Sequence, residues 1–354
     1  MKKTGLISLL LALTLLCSCS KTQPEPTPTP TPKPTPEQTA PAPEPEKTGF
    51  KNNLTGEYEL KAESEQSIRP VAVSINNTLG GAQRTQTGLE NADVMYETYV
   101  EGGLTRILAI YKDISKAGEI GSIRSARYDF VDICEGHDAT FIHAGIDSTY
   151  AQPYMDRLGI DHANLLYGSL YGYVYRLDNG LALEHTLYGK GESLAKMLKD
   201  KNWRTTVKDA YKADWQNFSE TAVTPSGGKA STVNVAFSGD YKSKFAYDSA
   251  SGMYEKLERP DWRSGKNLKV KNLVVLFTTL GQFEDGYRMK IGMKGGEGYY
   301  FTNGAYQKIK WTKGDYNASY KFTDEAGNPL PYNVGNSYVC IVSQGMQYKF
   351  EIGE

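Results

Sequence analysis

The hydrophobic positions of this chain fall into two rhythms. From Ala92 to Val100 they have period two: Val94, Tyr96, Thr98 and Val100 point one way, and Asp93, Met95, Glu97 and Tyr99 the other. Successive side chains on a strand face opposite sides, so this spacing predicts a strand. The run from Leu104 to Tyr111 predicts a second strand, and Glu101-Gly102-Gly103 between them predicts the turn of a hairpin. The apolar run Arg69 to Asn76 reads as a buried strand closed by Asn76-Asn77, and Ala139 to His143 as a further strand. The other rhythm is helical. Phe130, Ile133 and Cys134 recur at helical spacing between Ser125 and Glu135, with Gly136 as a stop, and Glu192 to Asp200 is amphipathic.

Past the loop-like Pro225-Ser-Gly-Gly228 the pattern is almost all strand. Val233 to Phe237 alternates, and Phe245 to Lys256 suggests a hairpin. Lys269 to Phe277 reads as one strong core strand. Two strands flank a turn between Gly298 and Trp311, and Ser337 to Val342 is another strand. The expected fold class is α+β: a mixed α/β N-terminal domain over residues 49–229, then a smaller, mainly β C-terminal domain over residues 230–354.

The first 48 residues follow neither rhythm. Lys2 and Lys3 precede an apolar stretch from Leu6 to Leu16, which is short of the roughly 20 apolar residues that span a bilayer. It matches the apolar part of a secretory signal over residues 1–18. The stretch ends Leu16-Cys17-Ser18-Cys19, which resembles the bacterial lipobox and implies a diacylglyceryl thioether on Cys19. Two acyl chains anchor a protein stably where one does not. Proline then alternates with threonine, alanine, glutamate and lysine up to Lys47, so residues 19–48 read as a lipidated cysteine and an extended tether. At about 3.1 Å per residue it would reach on the order of 75 Å.

Composition narrows the function classes. With 39% hydrophobic residues, the folded part can build a proper core. A formal net charge of −1 argues against nucleic-acid binding, which is built from excess lysine and arginine. The 25 tyrosines fit either sheet positions or a recognition surface. Cys134 and Cys340 sit in apolar runs and read as buried thiols, although an export compartment also permits their pairing.

Several stretches resemble the YerB-like lipoproteins, a family of Gram-positive bacteria with no assigned activity. They are Arg69 to Asn76, Gly88 to Glu97, Val100 to Arg106, Gly121 to Arg127 and His143 to Gly145. The aromatic, glycine-rich Tyr300 to Trp311 is similar to the family's smaller C-terminal domain. The resemblance implies a two-domain exported lipoprotein and hands over no catalytic residues.

The candidate chemistry is therefore read from the residues. Arg124 and Arg127 lie three apart at the expected helix start, where arginine is unusual, and neither has an acid at helical spacing C-terminal to it. With Ser125 and Arg106 they form a candidate anion site. Alternatively they pair with Glu97, Glu101 or Asp93 and hold the hairpin to the helix. Glu97 and Glu101 would be the carboxylates of a glycan hydrolase, with His143 nearby, or a salt-bridged sheet edge. His137, His143, His162 and His185 match no metal-ligand spacing, so no metal or cofactor is implied. The tyrosine-rich segment Tyr167 to Tyr175 reads as an aromatic loop or as packing around a turn. Two functions remain: a tethered binding or scaffold module at the cell envelope, its partner a wall polymer or envelope protein, and a cell-envelope hydrolase.

Overall fold

A computed structural model describes residues 48–354. The expected signal segment, the Cys19 lipidation site and nearly all of the tether lie outside the described residues. The described part belongs to one compact unit. Its core is a ten-stranded sheet to which both halves of the chain contribute. In spatial order the strands are Lys321–Thr323, Ala305–Thr312, Gly295–Thr302, Asn272–Thr278, Ser337–Ser343, Val94–Tyr99, Thr105–Tyr111, Val71–Asn76, Thr140–His143 and His162–Asn164. The halves meet where Ser337–Ser343 runs parallel to Val94–Tyr99, with Cys340 opposite Glu97.

The expected hairpin forms, Val94 pairing with Ile110 and Tyr99 with Thr105. Gly102 and Gly103 both take φ of 71° in its turn, which only glycine adopts freely. A second hairpin turns at Asn303-Gly304, with φ of 49° and 70°, the pair of positive values that a type I′ turn needs.

A five-stranded antiparallel sheet from the C-terminal half covers one face of this seam. Its order is Leu268–Val270, Met253–Lys256, Lys242–Asp248, Thr232–Ala236 and Glu351–Gly353. Phe245 meets Tyr338 edge-on, Phe237 meets Tyr99, and Tyr254 meets Phe301. The opposite face is covered by an aromatic cluster of Trp215, Tyr320 and His137 around Tyr96. All six residues of Val94–Tyr99 are therefore buried. The period-two pattern marks two faces correctly, but neither is a solvent face and the strand is central, so Glu97 does not lie on a sheet edge.

Two local expectations need correction. The expected strand from Lys269 to Phe277 is two strands: the chain leaves the five-stranded sheet after Val270 and enters the ten-stranded sheet at Asn272. Lys271 marks the crossing, held by its backbone amide on Asn336 and its ammonium on Asn303. Helix α1 is Tyr128–Glu135 and does not begin at Ser125. The residues before it are claimed by strand ends, with Arg124 N bonded to Ser74 O and Ala126 N to Gly145 O. Helix α2, Ala151–Leu158, is short and carries Pro153 in its first turn, where a missing amide costs little. Asp147 gathers the amides of Thr149, Tyr150 and Ala151 ahead of it. Helix α3, Gly191–Asp200, forms as the pattern predicts.

Candidate functional site

Three of the sequence-selected arginines converge, but not by sharing a helix face. Arg106 is the second residue of Thr105–Tyr111, opposite Asn76 on one side and Thr98 on the other. Its guanidinium donates to the carbonyl of Ser125 at 2.6 Å. That carbonyl belongs to the extended segment from Ser122 to Arg127, which is pinned across the strand ends and holds Ser125 Oγ on Ala144 O at 3.0 Å. Arg127, the residue before α1, grips Glu101 with two nitrogens, each at 2.7 Å. This bidentate pair ties the hairpin turn to the helix start, one of the two roles expected for it. Arg124 instead donates to the carbonyl of Glu184 at 2.6 Å and lies 3.5 Å from His185 Nδ1.

The electrostatics of the three differ from ordinary surface arginines. Arg106 is 4% exposed and, among the described residues, forms no ion pair. Burial, then the charges of Arg127 and Arg124, push its pKa well below the usual arginine range. Burial lowers Arg124 as well, partly offset by Glu184 and reinforced by Arg127. Burial raises Glu101, but the hydrogen bonds and charge of Arg127 outweigh it, so its pKa falls. The one nearby carboxylate is thus already engaged. Such a cluster can hold and orient an anion, and the Ser125 hydroxyl beside it donates to Ala144 O.

Glu97 lies elsewhere in character. It is wholly buried and accepts four hydrogen bonds: from Asn77 and Thr105 at 2.7 Å each, from Ser243 at 2.8 Å and from Tyr338 at 2.7 Å. Arg259 stands 3.8 Å away. Burial raises the Glu97 pKa, and Lys256, Arg259 and the hydroxyl donors lower it further, so the net shift is downward. Sequence reasoning missed Arg259, Lys256, Ser243 and Tyr338, because they lie about 150 to 240 residues away in the chain.

The remaining candidates have partners. His143 bonds Gly145 O through Nδ1 at 2.7 Å and His162 Nδ1 through Nε2 at 2.9 Å; burial lowers its pKa to about 3. His137 meets the Tyr96 hydroxyl at 2.8 Å. Cys134 and Cys340 are both free and buried. In the tyrosine-rich segment, Tyr167 and Tyr171 are exposed, Tyr173 bonds Asp200, and Tyr175 bonds Glu119.

Fold and sequence together place the chain in a defined class. Residues 54–204 match the N-terminal domain, and residues 233–339 the C-terminal domain, of a family described as protein of unknown function DUF3048. The chain belongs to that family. It is 28% identical over 310 residues to "Putative lipoprotein YerB" of Bacillus subtilis (strain 168), covering 82% of this chain and 86% of the relative. It also superimposes on the crystal structure of the Bacillus subtilis YerB protein with a TM-score of 0.69 at 24% identity, covering 86% of this chain and all of the other, a likeness of fold. No helix among the described residues is long and apolar enough to cross a membrane.

Proposed function

We propose that this protein is a lipoprotein held to the outer face of the cell membrane through Cys19, and that it acts there as a binding module for an anionic group of an envelope polymer or protein. The relative's name supports the lipid anchor. One observation carries the binding reading: Arg106 is a buried guanidinium with no ion pair among the described residues, set beside two further arginines. Bringing a charge out of water without a counter-charge is costly, so a fold that keeps one has a use for it. A ligand carboxylate or phosphate would supply the missing charge, with Arg124 and Ser125 as further donors. No comparable observation favours the hydrolase: Glu97 is sealed from solvent, and Glu101 is taken by Arg127.

The test is a binding and turnover screen on the chain from Thr48 onward, using purified peptidoglycan and teichoic acid. Arg106→Met and the Arg124→Ala/Arg127→Ala double variant are run beside it, each checked for folding. The expected result is polymer binding that falls at least tenfold in both, with no product released. Unchanged binding in folded variants refutes the arginine site. Product formation lost on Glu101→Gln would establish the hydrolase instead.

A further inference from the structure

A cavity of about 290 Å³ lies apart from the arginine cluster, between the segment carrying Gln86 and Leu89 and the strands that bear Met253 and Leu268. Leu89, Met253 and Leu268 make its apolar walls, and Arg259 lines it with a side chain that is 1% exposed. The fold holds Arg259 in place at some expense, since its φ of 55° is rare for a residue with a side chain. One terminal nitrogen donates to Lys242 O at 3.2 Å and Ser243 Oγ at 3.0 Å, while its Nε has no partner.

The buried charge here does not balance. Arg259 and Lys256 are both buried cations, and Glu97 is the acid between them. Glu97 already accepts four hydrogen bonds and stands 3.8 Å from Arg259, beyond hydrogen-bond range. Two cations share one buried carboxylate, with the half-buried Glu258 adding attraction at Lys256 alone, in an interior where uncompensated charge is expensive. In the cavity lining, Lys269 is paired with Asp248 at 2.7 Å, which leaves Arg259 and Lys266 beside Glu90 and Asp261. Next door, a larger cavity of about 470 Å³ shares Glu90, Met253 and Asn336 with the first, and carries Glu57, Glu59, Asp93 and Asp113 beside Lys112, Lys116 and Lys271. A molecule lying through both would meet Arg259 at one end and, at the other, a lining in which acids outnumber lysines.

We propose that this cavity is a second binding site, taking a small molecule with one carboxylate on a short apolar body, the carboxylate paired with Arg259 and the far end neutral or cationic. Apolar walls with a few placed polar groups are the usual make-up of small-ligand pockets, and this volume is near their lower limit. The site is independent of the arginine cluster and of the polymer-binding reading.

The experiment is ligand-detected NMR with calorimetry on the chain from Thr48 onward, using hexanoate, hexanamide, ε-aminocaproate and adipate. Hexanoate and ε-aminocaproate should bind, hexanamide at least tenfold more weakly, and adipate more weakly than ε-aminocaproate. Arg259→Gln should remove the preference for carboxylate. Because that change also strips Glu97 of a cation, Met253→Trp is the second variant: Met253 lines both cavities, and a larger ring there fills the space without touching the buried charges. Hexanoate binding should fall at least tenfold in Met253→Trp and stay unchanged in Arg124→Ala/Arg127→Ala. Equal binding of hexanoate and hexanamide, no binding of hexanoate to the wild type, or unchanged affinity in Met253→Trp would each overturn the proposal.

Discussion

Tyr338 donates its hydroxyl to Glu97 at 2.7 Å across 241 residues of chain, on two strands that lie side by side at the junction of the two halves. Asn77 and Thr105 hold the same carboxylate from the N-terminal half, and Ser243 holds it from the C-terminal half. Glu97 is therefore a clamp between the parts of the chain that match the two family domains. Removing one member of a buried ion network costs about 3–5 kcal/mol, because the partner charges stay behind unpaired. Glu97→Ala should lose that much in urea unfolding, and Glu97→Gln less, since the amide keeps an acceptor oxygen. Tyr338→Phe should cost about 1–3 kcal/mol. A Glu97→Ala protein as stable as the wild type would show that the clamp is not structural.

The strands and the hairpin around this clamp were legible in the sequence, since alternation reports which side chains share a face. What covers each face was not. Glu97 reads as a polar-face residue until the five-stranded sheet is seen lying over it, and that sheet comes from residues beyond 230. The arginines were legible as a group for a reason that proved incomplete. Arg124 and Arg127 converge because an extended segment is pinned across strand ends, a constraint made by Ser74 and Gly145. The sheet crossing at Lys271 left no mark, because both strands on either side of it are apolar. Arg259 was invisible for the same reason as the covering sheet: its importance lies wholly in a distant acid.

Two buried titratable groups should give stability opposite pH slopes. His137 is 5% exposed, and burial lowers its pKa to about 3, against about 6.5 when unfolded. The native state binds fewer protons, so its contribution is complete above pH about 6.5 and is lost as pH falls toward about 3. Asp129 is also buried, and it accepts from the amide of Ile291 at 3.2 Å. Burial raises its pKa well above normal, so its contribution is complete below pH about 4 and is lost as pH rises through the folded value. Urea midpoints measured from pH 4 to 8 should show a shallower acid limb in His137→Gln and a higher midpoint at neutral pH in Asp129→Asn. Variant curves parallel to the wild type would remove both assignments.

The two thiols give a check on the core that needs no variant. Cys134 donates to Ala139 O at 3.2 Å, and burial pushes both Cys134 and Cys340 well above the normal thiol range. A thiolate is the reactive form, so neither should react with a disulfide reagent while the chain is folded. In guanidinium, two thiols should titrate at once in the chain from Thr48 onward. One or none under non-reducing conditions would mean that they are paired or oxidised.

Arg106 carries the prediction that separates a structural arginine from a ligand-binding one. In an arginine kept for stability, truncation exposes its cost at once. Here the side chain is buried, repelled by Arg124 and Arg127, and compensated by one carbonyl and by the more distant Glu101, which Arg127 already holds. Arg106→Met keeps much of the packing volume and removes the desolvated charge. Its urea stability should match or exceed the wild type, with a gain of about 0–2 kcal/mol, while anion binding falls at least tenfold. That trade between stability and activity is expected where a group is strained in the free protein and relieved by its ligand. Adding phosphate or a soluble teichoic acid fragment should then raise the unfolding midpoint of the wild type and leave that of Arg106→Met unmoved, because only a site that binds the folded state stabilises it. A variant that loses several kcal/mol, with an unchanged response to the anion, would mean that Arg106 serves the fold alone.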